Sequence, residues 1–151
     1  MATTARPEKT SPAQEAWGLF FQLALRNRAR LHEALETLGL TFPQAHLLRL
    51  LTPDQPRPMN DVAIQLVCDA SNVTGLADRL ESRGLIERQS AQHDRRVKAL
   101  ALTQAGQQVR QQVIQVMQEP PALFAALPAA DLRTIRDILR RALEAAETGS
   151  A

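Results

Sequence analysis

Residues 69–103 read DASNVTGLADRLESRGLIERQSAQHDRRVKALALT, and this stretch predicts a short helix followed by two strands. Asp69 is expected to begin the helix as an N-cap that accepts the free amide of Asn72. Gly84 is expected to end it, because glycine adopts the left-handed backbone of a helix C-terminus without strain. The strands are expected at Leu85–Gln89 and Val97–Leu102, and the polar loop between them is called the wing.

A second short helix is predicted just upstream, from Met59 to Val67, with Asn60 as its cap and Cys68 as the single residue between the two helices. The downstream helix has apolar side chains at three- and four-residue steps on one face and small polar side chains on the other. Two short helices joined by so tight a turn are typical of a helix-turn-helix, which places its second helix in the major groove of DNA.

Three motifs of this region resemble the winged-helix core of the multiple-antibiotic-resistance regulator (MarR) family. They are D-R-L-E-x-x-G-L-I-x-R at 78–88, D-x-R at 94–96 and L-T-x-x-G at 102–106. The resemblance implies a mainly α protein with a small β-hairpin wing. A winged helix-turn-helix core, at about residues 41–102, would be flanked by N- and C-terminal dimerisation helices at about 11–38 and 103–148.

Long flanking helices are also predicted from the residues themselves. Ser11-Pro12-Ala13-Gln14 is a capping box that begins a helix ending at Gly39, with an apolar stripe broader than a lone surface helix needs. Thr103 is expected to cap the helix that follows the second strand. A last helix begins near Pro128 and again carries apolar residues at three- and four-residue steps. A second copy of the chain would bury these faces in a two-fold homodimer, although a monomer with a helical cap is also compatible with the pattern.

Composition sets broader bounds on the class of protein. The 151 residues suit one domain, expected at 11–151 after a disordered arm at 1–10. Hydrophobic residues make up 44% and charged residues 23%, no apolar run approaches the roughly 20 residues of a membrane span, and the start has no secretory apolar region. A cytoplasmic protein without membrane contact is expected. The single cysteine and the lack of Cys/His clusters predict no disulfide, no metal and no cofactor.

Candidate DNA contacts lie on the second helix of the helix-turn-helix and on the wing. Small polar residues on its first turns could reach base edges or phosphates, with a solvated face as the alternative: Ser71, Asn72 and Thr74. Three arginines could neutralise phosphates or form salt bridges with Asp78, Glu81 and Glu87: Arg79, Arg83 and Arg88. On the wing, Asp94 and Arg96 match the family's D-x-R, and the resemblance implies that the aspartate orients an arginine that enters the minor groove. The neighbours Arg95 and His93 could share this role, and the alternative is a set of solvated charges. The resemblance implies a long, frequently basic, side chain at the position of Gly75, and the chain departs from the family there.

A small-molecule effector is the second kind of partner that the resemblance implies, because family members take up aromatic or phenolic effectors between the dimer helices and the winged lobe. Aromatic, histidine and arginine side chains would suit a small aromatic acid, whereas the alternative is that the aromatic residues are core: Trp17, Phe20, Phe21, His32, His46 and Arg49. Cys68 could act as a redox-sensitive thiol, or it could be a small buried hydrophobe.

The residues and the resemblance together predict a homodimeric DNA-binding transcription regulator, a repressor that an effector releases from double-stranded operator DNA. Two alternatives are a redox-responsive regulator that uses Cys68 and a winged helix used for protein contact. An enzyme is not expected, because no nucleophile and base pair, phosphate loop or metal cluster is recognisable in the sequence.

Overall fold

The computed structural model describes residues 10–90 and 98–148, which form seven helices and three strands. They divide into two compact units, the first ending at Met117 and the second beginning at Gln118. The elements in chain order are α1 Pro12–Glu36, α2 Phe42–Leu50, β1 Arg57–Pro58, α3 Met59–Leu66, α4 Ala70–Ser82, β2 Ile86–Ser90, β3 Lys98–Leu102, α5 Gln104–Gln118, α6 Ala122–Ala125 and α7 Ala129–Thr148. The predicted mainly α fold with a small sheet is confirmed.

The sheet is antiparallel, with the strand order β1-β3-β2. Leu100 of β3 lies opposite Arg88 of β2 and Arg57 of β1. The sequence did not predict β1, because two residues are too few for an alternating pattern. From Ala99 to Leu102, β3 is buried on both faces, as expected of a central strand.

The helix-turn-helix differs from the prediction in its turn. Three residues separate α3 from α4, because Val67 leaves the helix with a left-handed backbone at φ 51° instead of continuing it. The cap of α3 is Pro58 rather than Asn60, since β1 runs directly into the helix. Asp69 is the N-cap of α4, but its carbonyl rather than its side chain accepts the Asn72 amide, at 3.0 Å.

The core of the first unit lies beneath the helix-turn-helix. The inner face of α4 is completely buried at Val73, Ala77 and Leu80. It packs in one apolar cluster with residues of α1, α2, α3, β2, β3 and α5, including Leu35, Leu47, Leu48, Val62, Ile86, Leu100 and Val113. This packing holds α4 rigidly while its opposite face remains exposed.

The L-T-x-x-G motif attaches α5 to the turn that follows α4. The Thr103 hydroxyl accepts the Gly106 amide at 3.0 Å, which confirms its predicted role as a cap, and donates to the Gly84 carbonyl at 2.6 Å. Gly84 has φ +66°, as its predicted C-terminal position requires. A Cβ atom at Gly106 would lie 1.8 Å from the carbonyl oxygen of Leu85, so no other residue fits without displacement of the backbone.

The helices outside the winged core expose much apolar surface. The capping box at the start of α1 is confirmed, with reciprocal hydrogen bonds between Ser11 and Gln14 of 2.8 and 3.2 Å. Trp17 stacks on Phe20 at 5.7 Å between ring centroids, yet the two side chains are 65% and 50% exposed. Within the second unit, α6 and α7 border an open apolar groove of about 530 Å³ lined by Phe124 and Leu132, among others. No helix in residues 10–90 or 98–148 combines the length and apolarity that crossing a membrane requires.

Candidate nucleic-acid interface

The outer face of α4, which we call the reading face, carries the polar residues that the sequence analysis names as candidate DNA contacts. Ser71, Asn72 and Thr74 are all exposed on its first two turns. The Thr74 hydroxyl donates to the Ala70 carbonyl at 3.0 Å, which leaves its oxygen lone pairs free to accept a hydrogen bond. Short polar side chains on a rigid helix are suited to base edges and phosphate oxygens.

The middle of the reading face is open. A Cβ atom built at Gly75 would meet no heavy atom of the described chain within 4 Å. Gly75 and Arg79 lie one helical turn apart and border a groove of about 450 Å³ together with Ser71 and Asn72. The reading face is therefore small and flat at its centre, with one long cation at its far end.

The other two candidate arginines have partners within the protein. Arg88 of β2 is bonded to the carboxylates of Asp78 and Glu81, both on α4. The hydrogen bond to Asp78 is the largest of the effects that raise the pKa of the Arg88 guanidinium. Arg83 instead donates to two backbone carbonyls at the end of α1. The sequence is compatible with binding of these side chains to phosphates or to carboxylates. It contains no signal for the hydrogen bonds of Arg83 to backbone carbonyls.

The wing candidates Asp94, Arg95 and Arg96 lie outside the described residues. The base of the wing is described, with Ser90 of β2 opposite Lys98 of β3. The wing contacts remain predictions.

The predicted effector residues do not converge on one cavity. His32 borders a groove of about 850 Å³ between α1 and α2, here called the α1–α2 groove, whereas His46 borders the smaller groove beside α4. Trp17 and Phe20 lie on the exposed N-terminal half of α1; Trp17 is 15 residues from His32, about 22 Å along a helix. Arg49 bonds the His46 ring at 3.1 Å.

Sequence reasoning did not assign Arg28 and Phe42 to the effector site, yet both border the α1–α2 groove. The signal for Arg28 was its position four residues before His32, which places both on one face of α1.

Partial burial, and then the positive charge of Arg49, lower the pKa of His46, so its ring is neutral at neutral pH.

Cys68 lies in the turn between α3 and α4, where it is partly buried and packs against the apolar core. Its side chain also borders the groove beside α4. Within the residues that the structure describes, no three His, Cys, Asp or Glu side chains are grouped so that they could hold a metal ion.

A tight helix-turn-helix, a three-stranded sheet and an exposed polar face on the second helix define a winged helix-turn-helix protein. The MarR family model matches residues 40–98, which span this core. Over this core the chain is similar to the MarR family of transcription regulators.

Three similar proteins illustrate the relationship. The HTH-type transcriptional regulator YfiV of Bacillus subtilis is 30% identical over 102 residues, covering 66% of this chain and 62% of YfiV, so the match spans less than two thirds of that relative. A MarR family protein from Bacillus stearothermophilus has the same fold, with a TM-score of 0.78, 22% identity and coverage of 95% of this chain and 99% of that one. CouR from Rhodococcus jostii RHA1, bound to p-coumaroyl-CoA, gives a TM-score of 0.66 and 25% identity, covering 87% of this chain and 94% of CouR.

Proposed function

We propose that the protein is a cytoplasmic, homodimeric transcription repressor that binds duplex operator DNA through α4. The observation that carries this proposal is the contrast between the two faces of α4. Val73, Ala77 and Leu80 are completely buried, while Ser71 and Asn72 are exposed. A helix held this rigidly can present polar side chains to base edges at a fixed depth and angle.

The exposed apolar surface of α1 supports the proposed dimer. Large apolar side chains that are about half exposed occur along its N-terminal half: Trp17, Leu19, Phe20, Phe21, Leu23 and Leu25. Six large apolar side chains exposed on one helix favour association, and a second copy of the chain would cover them symmetrically. In the second unit, Leu139 and Leu143 of α7 are likewise exposed. Two reading helices would then meet half-sites about 34 to 36 Å apart.

The effector site that fits the geometry best is the α1–α2 groove. Arg28 and His32 supply cationic and hydrogen-bonding groups from α1, while Phe42 and Pro43 supply an apolar wall from α2. An aromatic ring with an acidic group suits this combination, because the ring packs on Phe42 and the anion pairs with the guanidinium. CouR binds p-coumaroyl-CoA, whose acyl group carries an aromatic ring, and this supports an aromatic ligand.

DNA binding is tested with duplexes selected from a random-sequence pool by the purified protein. We expect the logarithm of the binding constant to fall steeply and linearly with the logarithm of salt concentration, because phosphate contacts release counterions. Selection of no duplex, or binding insensitive to salt, would instead favour a winged helix that contacts protein.

Effector binding is tested with a panel of aromatic acids and their uncharged analogues. Arg28→Ala should abolish release of the DNA by an active acid and leave DNA affinity unchanged, because Arg28 lies on α1 and not on the reading face. Cys68→Ser separates the redox alternative. We expect the variant to keep its response to the acid; loss of a peroxide response in this variant would identify a thiol sensor instead.

A further inference from the structure

The C-terminus of α1 and the C-terminus of α4, the reading helix, have similar geometry and lie next to each other. After α1 the chain turns at Gly39, with φ +65°, and the Leu40 amide bonds the Leu35 carbonyl at 3.0 Å. After α4 it turns at Gly84, and the Leu85 amide bonds the Leu80 carbonyl at 3.0 Å. The four leucines of these turns are all buried in the core cluster of the first unit.

Arg83 bridges the two turns. Its Nη1 donates to the Gly39 carbonyl at 2.6 Å and its Nη2 to the Leu38 carbonyl at 3.0 Å, across 44 and 45 residues of sequence. The guanidinium lies against the Gly39 backbone, because a Cβ atom there would be 3.4 Å from Nη2. Leu38 and Gly39 lie in the turn just beyond the C-terminus of α1, near the negative end of the helix dipole. A cation that donates to both of their carbonyls is therefore favoured by charge as well as by geometry.

We propose that Arg83 is a positioning residue, which sets the angle of α4 against α1, and that it does not contact DNA phosphates. The inference rests on the proposed function in one respect. If α1 joins the two copies, the orientation of α4 relative to α1 determines the separation of the two reading helices. Arg83 therefore controls which half-site spacing the dimer accepts.

Small changes of angle at this position matter. The 13 residues of α4 extend about 20 Å, so a pivot of about 10° at Arg83 moves its first turn by about 3.4 Å, one base-pair step. Ser71 and Asn72 lie on that first turn. Two parallel hydrogen bonds from a planar guanidinium resist such a pivot better than one bond from an ammonium group.

Arg79 provides a matched control, because it is an exposed arginine one turn earlier on the same helix and borders the groove beside Gly75. Both Arg79→Ala and Arg83→Ala remove one positive charge. Loss of a phosphate contact reduces the slope of log affinity against log salt by about 0.9 and affects all spacings alike. Loss of a positioning contact leaves the slope unchanged and alters the spacing preference.

The first experiment compares duplexes whose half-sites are one base pair closer together, native, or one base pair further apart. Changing the spacing by one base pair should weaken DNA binding by the native protein about tenfold or more, because contacts in one half-site are lost. We expect Arg83→Ala to reduce this discrimination to about threefold, with an unchanged salt slope, and Arg83→Lys to restore part of it. Arg79→Ala should keep the native spacing discrimination and have a smaller salt slope. An Arg83→Ala variant with native discrimination and a smaller slope would overturn the proposal.

The second experiment needs no DNA and separates this inference from the proposed function. Amide hydrogen exchange is measured in the full-length variants. We expect Arg83→Ala to accelerate exchange at Leu40, the turn amide after α1, by about tenfold, whereas Arg79→Ala leaves it at the native rate. If the native protein selects no duplex, the proposed function fails, but the exchange rate at Leu40 still decides whether Arg83 holds the two turns together. Unchanged exchange at Leu40 would show that Arg83 does not hold the two turns together.

Discussion

Gly75 lies in the interior of α4 at the centre of the reading face, and its replacement by arginine should raise both stability and DNA affinity. No heavy atom of the described chain lies within 4 Å of the Cβ position, so the side chain enters open space. Arginine is more favourable than glycine in a helix interior by about 0.8 kcal/mol, and this difference should appear as increased free energy of unfolding.

The gain in DNA affinity follows from one additional cation on the reading face. A new phosphate contact should steepen the salt slope by about 0.9, so the advantage of Gly75→Arg should shrink about 3.5-fold between 50 and 200 mM salt. Anisotropy titrations with a fluorescent duplex measure this slope. The control is Gly75→Ala, which should gain similar helix stability without any gain in DNA affinity. Equal DNA affinities for the arginine and alanine variants would mean that the centre of α4 does not face the DNA.

Gly106→Ala should lower the free energy of unfolding by about 3 kcal/mol or more, because its Cβ would overlap the Leu85 carbonyl. The control is Gly18→Ala, whose Cβ enters open space, and both variants are measured by denaturant unfolding. Equal stability of the two variants would contradict the close approach at Gly106. The depressed pKa of His46 means that the unfolded chain takes up a proton first as pH falls through about 6.5, so stability should fall until the folded-state pKa is passed. His46→Gln should flatten this dependence of Tm between pH 7.5 and 5, and an unchanged profile would remove His46 as the cause. Asn72→Ala should weaken binding to the selected duplex by about 1 to 3 kcal/mol and leave random-sequence binding nearly intact; equal losses on both DNAs would indicate a phosphate contact.

Local sequence signals predicted several element ends. The capping box at Ser11, the cap at Thr103 and the left-handed glycine at position 84 depend on residues within a few positions of one another, and all three are confirmed. The sequence predicts Val67 as the last residue of a helix, whereas the turn requires it in a left-handed conformation. A β-branched residue in that conformation is uncommon, so local pattern alone favours the wrong assignment.

The candidate site depended more on tertiary structure. The polar face of α4 followed from helical periodicity, and the structure exposes it as predicted. The partners of Arg83 could not be predicted, because a hydrogen bond between positions 83 and 39 leaves no local trace in the sequence. The α1–α2 groove also depends on how two helices pack, which is why His32 and His46 were grouped although they border different grooves.

In the proposed complex, two copies of the chain place two α4 helices on one palindromic duplex. Sedimentation of the purified protein with a selected duplex measures the mass of the complex and hence the number of chains bound. We expect a dimer without DNA, two chains per full duplex, and a large loss of affinity when one half-site is scrambled. One chain per duplex, with equal affinity for the full and the half-scrambled site, would contradict it.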